Sequence, residues 1–175
     1  MRFVRGLGAG PYVGAWNYLL TQSGADGCET AVLVEETQPH SGVSFSNSQI
    51  FGDLVVAPTN SGMVRFTGCG FFGSLDGARG TALAKIAGTG RVSFDNCHFY
   101  CIHPASRKAE TMIVVDSGRV AVNNCVFINN RNTAGVNSNP VPIVLRPEVR
   151  SAVITANEFY GQARIQNGSK CQVVI

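Results

Sequence analysis

An eight-residue pattern recurs five times along this chain, and it constrains the fold more than any other feature. The clearest copies are Val64–Phe71, Val92–Phe99 and Val120–Phe127, and weaker copies begin at Val43 and Ala152. Successive copies start 21, 28, 28 and 32 residues apart. Repeats with periods of roughly 20–50 residues are typical of solenoids, propellers and arrays. The chain is therefore predicted to consist of stacked copies of one small unit.

Each copy combines two strand-like segments with a bend between them. Apolar residues occupy the first and third positions, which is the period expected of a strand with one buried face. The eighth position is also apolar. The fifth position is Asn47, Gly68, Asn96, Asn124 or Ala156. Because Asn and Gly tolerate a left-handed backbone, this position is predicted to form a tight corner between two short strands.

A third apolar segment precedes each of the later copies. These segments are Leu54–Ala57, Ala82–Ala87, Met112–Val115 and Ile143–Leu145. One repeat is thus predicted to carry about three short strands and no helix. Length variation is concentrated in one connection, which spans residues 74–81, 102–111 and 129–142 in successive repeats. Stacked coils tolerate such insertions because loops project outward and leave the core unchanged.

The V-x-F-x-N-C-x-F motif of Val92–Phe99 resembles the coils of the pectate-lyase-like (pectin lyase fold) superfamily. The resemblance covers roughly residues 28–175. It implies an all-β, single-stranded right-handed parallel β-helix, a solenoid of about six coils with three short strands per coil. Residues 1–27 would form an N-terminal cap or a partial first coil. A β-propeller, whose units are longer at about 40–50 residues, and a β-sandwich are the alternative architectures.

Composition narrows the classes of function. With 45% hydrophobic and 14% charged residues, the chain fits a solenoid whose strands each bury one face. It contains no run of 18 apolar residues, so no membrane partner is expected, and residues 1–24 lack the pattern of a signal peptide. The net charge is only +3 and the basic residues form no concentrated patch, so no nucleic-acid partner is expected.

The resemblance also bears on partners and location. Superfamily members usually have more coils, so the chain is expected to be a fragment of a longer protein or to have its ends covered. The strand-like segment Gln172–Ile175 could pair with another chain through an open edge, which favours a homo-oligomer or end-to-end association. The resemblance implies a polysaccharide partner and a secreted or cell-surface location.

Three of the six cysteines share one repeat position. Cys69, Cys97 and Cys125 all occupy the sixth position, and stacked coils would place them about 4.8 Å apart. They are expected to be reduced, buried thiols that act as small apolar groups. Zinc binding by Cys97 and Cys101 with His98 and His103 is the alternative. Adjacent strand residues point to opposite faces, so no metal is expected, and no cofactor is expected either.

Two carboxylates are the candidate catalytic residues. Asp116 and Glu148 are predicted to occupy equivalent positions on adjacent coils. Carboxylates about 5 Å apart have the geometry of a retaining glycosidase. The alternative is a surface ion-pair ladder with Arg91 and Arg119, which would contribute little to stability.

The candidate substrate-binding residues are Tyr100, Tyr160, His98, Arg119 and Arg131. Tyr100 and Tyr160 belong to a ninth-position row with Phe51 and Phe72. Outward-facing aromatic rings in such a row could stack on sugar rings, whereas a local bend or a covering loop would bury them. His98 is outward at the seventh position, Arg119 precedes a repeat, and Arg131 lies in an Asn-rich loop.

Two functional hypotheses follow. The first is a carbohydrate-associated domain, part of a polysaccharide hydrolase or lyase that binds a glycan along its outer face. The second is a non-catalytic structural, adhesin or phage tailspike-like segment. The catalytic elements of polygalacturonase-like members are absent, because Asn132-Thr133-Ala134 lacks their Asp and Arg164-Ile165-Gln166 has Gln where they have Lys. Fold resemblance alone is a weak guide to chemistry.

Overall fold

The computed structural model describes residues 2–3, 17–26, 28–73, 82–101, 111–129, 141–160 and 165–175. Within these ranges every regular element is a β-strand, and the strand pairs are parallel. In chain order the strands are β1 (Arg2–Phe3), β2 (Tyr18–Thr21), β3 (Gly24–Ala25), β4 (Thr30–Val34), β5 (Gly42–Ser46), β6 (Gln49–Phe51), β7 (Asp53–Val56), β8 (Met63–Thr67), β9 (Gly70–Phe72), β10 (Ala82–Ile86), β11 (Arg91–Asp95), β12 (His98–Cys101), β13 (Thr111–Asn123), β14 (Val126–Asn129), β15 (Val141–Thr155), β16 (Glu158–Tyr160), β17 (Ile165–Asn167) and β18 (Val173–Val174).

The strands stack in three ladders, which confirms the predicted all-β parallel solenoid. The first ladder runs β1-β4-β7-β10-β13-β15-β17, the second β2-β5-β8-β11-β13-β15-β18, and the third β3-β6-β9-β12-β14-β16. The long strands β13 and β15 belong to both the first and the second ladder. About four full turns run from Gly42 to Leu145, with partial turns on either side, where the sequence suggested six coils.

The repeat extends one copy further toward the N-terminus than its sequence reveals. Tyr18 pairs with Val43 and Leu20 with Phe45, so β2 continues the second ladder. Gln22 then takes the corner position with φ of 51°. The segment Tyr18–Ala25 therefore forms a coil layer beneath the Val43 copy. Its Leu, Gln and Ser residues differ from the Phe, Asn and Cys of the clear copies, so the sequence pattern does not reveal it.

The corner position has a left-handed backbone in every copy, as predicted. Its φ is 50° at Asn47, 64° at Gly68, 53° at Asn96, 51° at Asn124 and 54° at Ala156. A left-handed residue turns the chain sharply between the second and third ladders. Gly and Asn adopt this conformation at low cost, whereas Ala pays a steric penalty of about 1–2 kcal/mol.

Two stacked rows of phenylalanine fill the core. Phe45, Phe66 and Phe94 at the third position stack with ring centroids 4.9 and 5.2 Å apart. The eighth-position row of Phe71, Phe99, Phe127 and Phe159 stacks at 4.7 to 4.9 Å. The two rows meet edge-to-face at 5.3 to 5.5 Å. Both ring geometries are favourable for aromatic pairs, so the period of the repeat is also the period of the core.

The bend between the first and second ladders is lined with polar groups instead. The Thr37 hydroxyl oxygen accepts hydrogen bonds from Asn60 Nδ2 at 2.6 Å and from the Gly62 N–H at 2.7 Å. Three coils beyond Thr37, the Ser117 hydroxyl accepts from the Gly88 N–H at 2.9 Å and donates to the Gly88 carbonyl. Buried backbone groups at this bend are thus paired by side chains of neighbouring coils.

Candidate functional site

The outer surface of the third ladder carries the densest group of predicted site residues. Eighth-position side chains such as Phe71 and Phe99 are fully buried, so the seventh and ninth positions beside them face outward. We call this surface the aromatic face, and it consists of Gln49, Phe51, Gly70, Phe72, His98, Tyr100, Val126, Ile128, Glu158 and Tyr160.

A row of rings runs along the aromatic face. Phe51 stacks on Phe72 with centroids 4.5 Å apart, and Phe72 lies 6.1 Å from Tyr100 in a tilted arrangement. These three side chains are half-buried, whereas Tyr160, beyond Ile128 in the same row, is 55% exposed. Phe51 and Phe72 cover each other's faces and so present ring edges outward, whereas the Tyr160 ring is largely open to solvent.

Polar side chains fill the space over the buried Gly70 beside this row, and we call this group the Gly70 niche. A Cβ atom at Gly70 would lie 2.5 Å from Gln49 Oε1 and 2.6 Å from both His98 Nε2 and Phe72 Cε2. Because glycine has no side chain, Gln49 and His98 lean over it from the two adjacent strands. The His98 ring meets Phe72 edge-on with centroids 5.3 Å apart. Amide and imidazole groups thus converge next to an aromatic ring.

Tyr160 and Glu158 form a second polar group on the same face. The Glu158 carboxylate accepts a hydrogen bond from the Tyr160 hydroxyl, and this bond, with the nearby negative charge, raises the pKa of Tyr160. His98 pairs with Val126, which pairs with Glu158. His98 and Glu158 are therefore two strand spacings apart, roughly 9–10 Å, which is too far for direct proton transfer.

The predicted substrate-binding residues do not share one surface. His98, Tyr100 and Tyr160 lie on the aromatic face, whereas Arg119 lies on the second ladder, where it pairs with Arg91. The left-handed corners separate the two surfaces. Arg131 lies outside the described residues.

The expected equivalence of Asp116 and Glu148 is wrong by one residue. Val115 pairs with Leu145, but Ser117 pairs with Glu148, so β15 carries an extra residue between these two points. The irregularity includes Pro147, which has no N–H to donate to a ladder. Asp116 instead lies 3.8 Å from Lys85 Nζ on β10, and Glu148 is exposed. The pair is on neighbouring strands but out of register.

The sixth-position cysteines form a buried ladder of free thiols. The Cys97 thiol donates to the Phe66 carbonyl and the Cys125 thiol to the Phe94 carbonyl, each at 3.4 Å. Interaction with the Cys125 and Cys69 thiols raises the pKa of Cys97, and the interaction with Cys97 lowers the pKa of Cys69 to about 7. Within the described part of the chain, no three His, Cys, Asp or Glu side chains are grouped as metal ligands.

A pocket on the second ladder was missed from the sequence. It has a volume of about 360 Å³ and is bounded by β2, β5 and β8. The pocket could not be predicted because the repeat copy that begins at Tyr18 was not recognised in the sequence. Without that copy, β2 is not placed next to β5. The signal that could have found it is the outward row of Leu19, Ser44 and Arg65.

Comparison of the chain with family models, curated proteins and solved structures gives no match. The parallel solenoid is thus established by the strand pairing of the chain itself. No helix among the described residues is both long and apolar enough to cross a bilayer.

Proposed function

We propose that this chain is a carbohydrate-binding β-solenoid of the pectate-lyase-like type, which holds a glycan along its aromatic face. The observation that carries the proposal is the row of Phe51, Phe72, Tyr100 and Tyr160, which places aromatic edges and the exposed Tyr160 ring on the outside of the third ladder. Aromatic rings with a polar edge are enriched where one side of a ligand is apolar and the other is hydrated. Sugar rings have this character.

The Gly70 niche supports the same ligand class. Gln49 offers an amide and His98 an imidazole next to the Phe72 ring. A binding site of this kind combines apolar stacking with a few placed polar groups that fix orientation. Hydroxyl groups at the edge of a stacked sugar ring would exchange hydrogen bonds with these two side chains.

Turnover by Asp116 and Glu148 has less support than binding. Asp116 is paired with Lys85, Glu148 is out of register, and both lie away from the aromatic face. We therefore propose a binding function. Hydrolase or lyase activity would require the glycan to reach Asp116 and Glu148 at the bend between the first and second ladders.

An architectural role of the adhesin or tailspike kind is the second candidate. The uninterrupted ladders of Phe66, Phe94, Phe71 and Phe99 favour it, because they give a stiff rod without reference to any ligand. The two roles differ in whether the outer rings contact a ligand. A carbohydrate-binding role requires that contact, and an architectural role does not.

The deciding experiment measures binding to an array of neutral and acidic polysaccharides, followed by calorimetry on the best ligand. Phe72→Ala and Tyr160→Ala should each weaken binding about tenfold or more if rings carry the contact. Val174→Ala, which removes an exposed apolar side chain elsewhere, is the matched control and should leave affinity unchanged. Absence of binding to the whole array, or equal affinity of all three variants, would overturn the proposal.

A further inference from the structure

The two rows of the aromatic face end at carboxylates and contain neither Lys nor Arg. Glu158 lies on β16, at one end of the third ladder, and is exposed. At the other end, the exposed Asp26 follows Ala25, which pairs with Ile50, so Asp26 extends the ninth-position row by one layer. The residues between these carboxylates are Gln49, Phe51, Gly70, Phe72, His98, Tyr100, Val126 and Ile128. An anionic chain laid along these rows would meet a carboxylate at each end.

The basic side chains of the strands belong to the other two ladders. Every Lys or Arg that lies in a described strand is on the first or second ladder, and these residues are Arg2, Arg65, Lys85, Arg91, Arg119, Arg146 and Arg150. The net charge of +3 is therefore not carried by the strands of the aromatic face. Charge is sorted between the surfaces of the solenoid, and the third ladder has the negative share.

Glu158 and Tyr160 form the most open part of the aromatic face. Tyr160 is 55% exposed, and its hydroxyl donates to the Glu158 carboxylate. On the neighbouring strand β14, Val126 pairs with Glu158 and Ile128 with Tyr160, so the adjacent surface is apolar. An ionised carboxylate has about four acceptor sites, of which the Tyr160 hydroxyl takes one. Glu158 forms no salt bridge with any described residue, so acceptor sites remain for a ligand.

A carboxylate beside an open ring suits a ligand with hydroxyl groups around an apolar body. Hydrogen bonds from a hydroxyl to an ionised oxygen are short and roughly twice as strong as those between neutral groups. A neutral sugar offers adjacent hydroxyls as donors to Glu158. A uronic acid at the same place adds a second carboxylate, which has no proton to donate and is repelled by the first.

We infer that the aromatic face selects neutral sugar chains over acidic ones, and that Glu158 is the residue that sets this selection. One sugar stacks on the Tyr160 ring and donates hydroxyl hydrogen bonds to the Glu158 carboxylate. Asp26 adds repulsion of acidic chains at the far end of the rows, five strand spacings or roughly 24 Å away. The inference rests on the proposed glycan-binding function, because it concerns the ligand of the same face.

Matched pairs of oligosaccharides test the selection by calorimetry. The probes are chains of glucose, mannose and galactose, each compared with the uronic-acid chain of the same linkage, and any other ligand found on the polysaccharide array is compared with its oxidised or methyl-esterified form. Each neutral chain that binds should bind at least about tenfold more tightly than its acidic partner at low salt. The difference should shrink between about 0.01 M and 1 M salt, because the Debye length falls from about 30 to 3 Å.

The outcomes separate this inference from the proposed function. Acidic chains that bind as tightly as their neutral partners would overturn the inference and leave glycan binding in place. Absence of binding to the whole array would overturn both.

Two substitutions test whether the selection belongs to Glu158. Glu158→Gln keeps the size and an acceptor oxygen but removes the charge, so the ratio of neutral to acidic affinity should fall at least about fivefold. Asp95→Asn removes an equal charge from the second ladder, where Asp95 accepts from Asn123 Nδ2 at 2.9 Å, and should change the ratio less than about twofold. A loss of folded protein lowers both affinities equally and leaves the ratio unchanged. An unchanged ratio in Glu158→Gln, or equal falls in both variants, would refute the assignment to Glu158.

Discussion

The side-chain carbonyl of Asn157 accepts a hydrogen bond from the backbone N–H of Cys125 at 2.9 Å. The amide of Asn157 also donates through Nδ2 to the Val122 carbonyl at 2.9 Å. Val122 occupies the same repeat position as Phe66 and Phe94, whose carbonyls accept from the thiols of the cysteine ladder. Asn157 therefore continues the cysteine ladder with a stronger donor and adds an acceptor for the neighbouring backbone.

Replacement of Asn157 should show that it closes this ladder. Asn157→Ala leaves the Val122 carbonyl and the Cys125 N–H without their partner and should lower the free energy of unfolding by about 1–3 kcal/mol. Asn157→Cys restores a donor to Val122 and should recover part of the loss. Urea unfolding followed by circular dichroism measures both. Equal destabilisation by Ala and Cys would contradict the assigned role.

Truncation of Phe94 should be among the most destabilising single changes. Phe94 is fully buried, stacks on Phe66 at 5.2 Å and meets Phe71 and Phe99 edge-on. Phe94→Ala should cost about 3–5 kcal/mol of unfolding free energy, because it leaves a cavity between both rows. Phe72→Ala on the half-buried aromatic face is the comparison and should cost less. A larger loss from Phe72 than from Phe94 would contradict the placement of the core.

Substitution of Ala156 at its left-handed corner should increase the stability of the protein. Ala156 is exposed and has φ of 54°, a conformation that Gly adopts without steric cost. Ala156→Gly should raise the unfolding free energy by about 0.5–1 kcal/mol. The substitution removes the steric strain of the left-handed backbone, and the greater entropy of glycine in the unfolded chain offsets part of this gain. Ala121→Gly within β13 is the matched control and should lower it by about 0.5–1 kcal/mol. Thermal and urea unfolding measure both changes.

Tyrosine titration should report the Glu158–Tyr160 hydrogen bond. The carboxylate raises the pKa of Tyr160, so this phenol should lose its proton at a higher pH than an ordinary tyrosine, about 10. Glu158→Gln removes the negative charge and should move that ionisation to lower pH. Ultraviolet absorbance of tyrosinate, compared between the two proteins and a Tyr160→Phe variant, isolates the group. Superimposable titrations of the native and Glu158→Gln proteins would disprove the contact.

Thiol labelling should separate the ladder from the other cysteines. Cys69, Cys97 and Cys125 are buried, whereas Cys28 and Cys171 are partly exposed, so access of the reagent separates the two groups. In a Cys101→Ser background, Cys28 and Cys171 should react rapidly with a disulfide reagent, and the three ladder thiols only after unfolding. Mass spectrometry of digests assigns each label. Rapid modification of Cys97 in the folded protein would contradict the buried ladder.

Features set by local stereochemistry could be predicted from the sequence. Asn47, Asn96 and Asn124 mark left-handed corners because few residues adopt that backbone cheaply, and alternating Val and Phe mark the inward face of each strand. These signals repeat, so each copy reinforces the interpretation of the others. The parallel stack, the phenylalanine rows and the thiol ladder all follow from them.

Features set by neighbouring coils could not be predicted in the same way. The shift that separates Asp116 from Glu148 arises in β15 at Pro147, and a repeat alignment has no reason to place an extra residue there. The Gly70 niche depends on the directions taken by Gln49 and His98. Side-chain direction across strands is a property of packing, which the repeat pattern alone does not contain.

The phenylalanine rows also mean that the length of the solenoid can change only in whole coils. Each ring contacts the rings of adjacent coils, so a coil inserted or deleted as a whole unit meets the same neighbours on both sides. The 28 residues that separate Val92 from Val120 are such a unit. Duplicating them would lengthen the solenoid by one strand spacing, about 4.8 Å, and would lengthen its outer surfaces in the same whole-number step. Duplication or deletion of whole coils can therefore change the length of this solenoid without changing the sequence of the remaining coils.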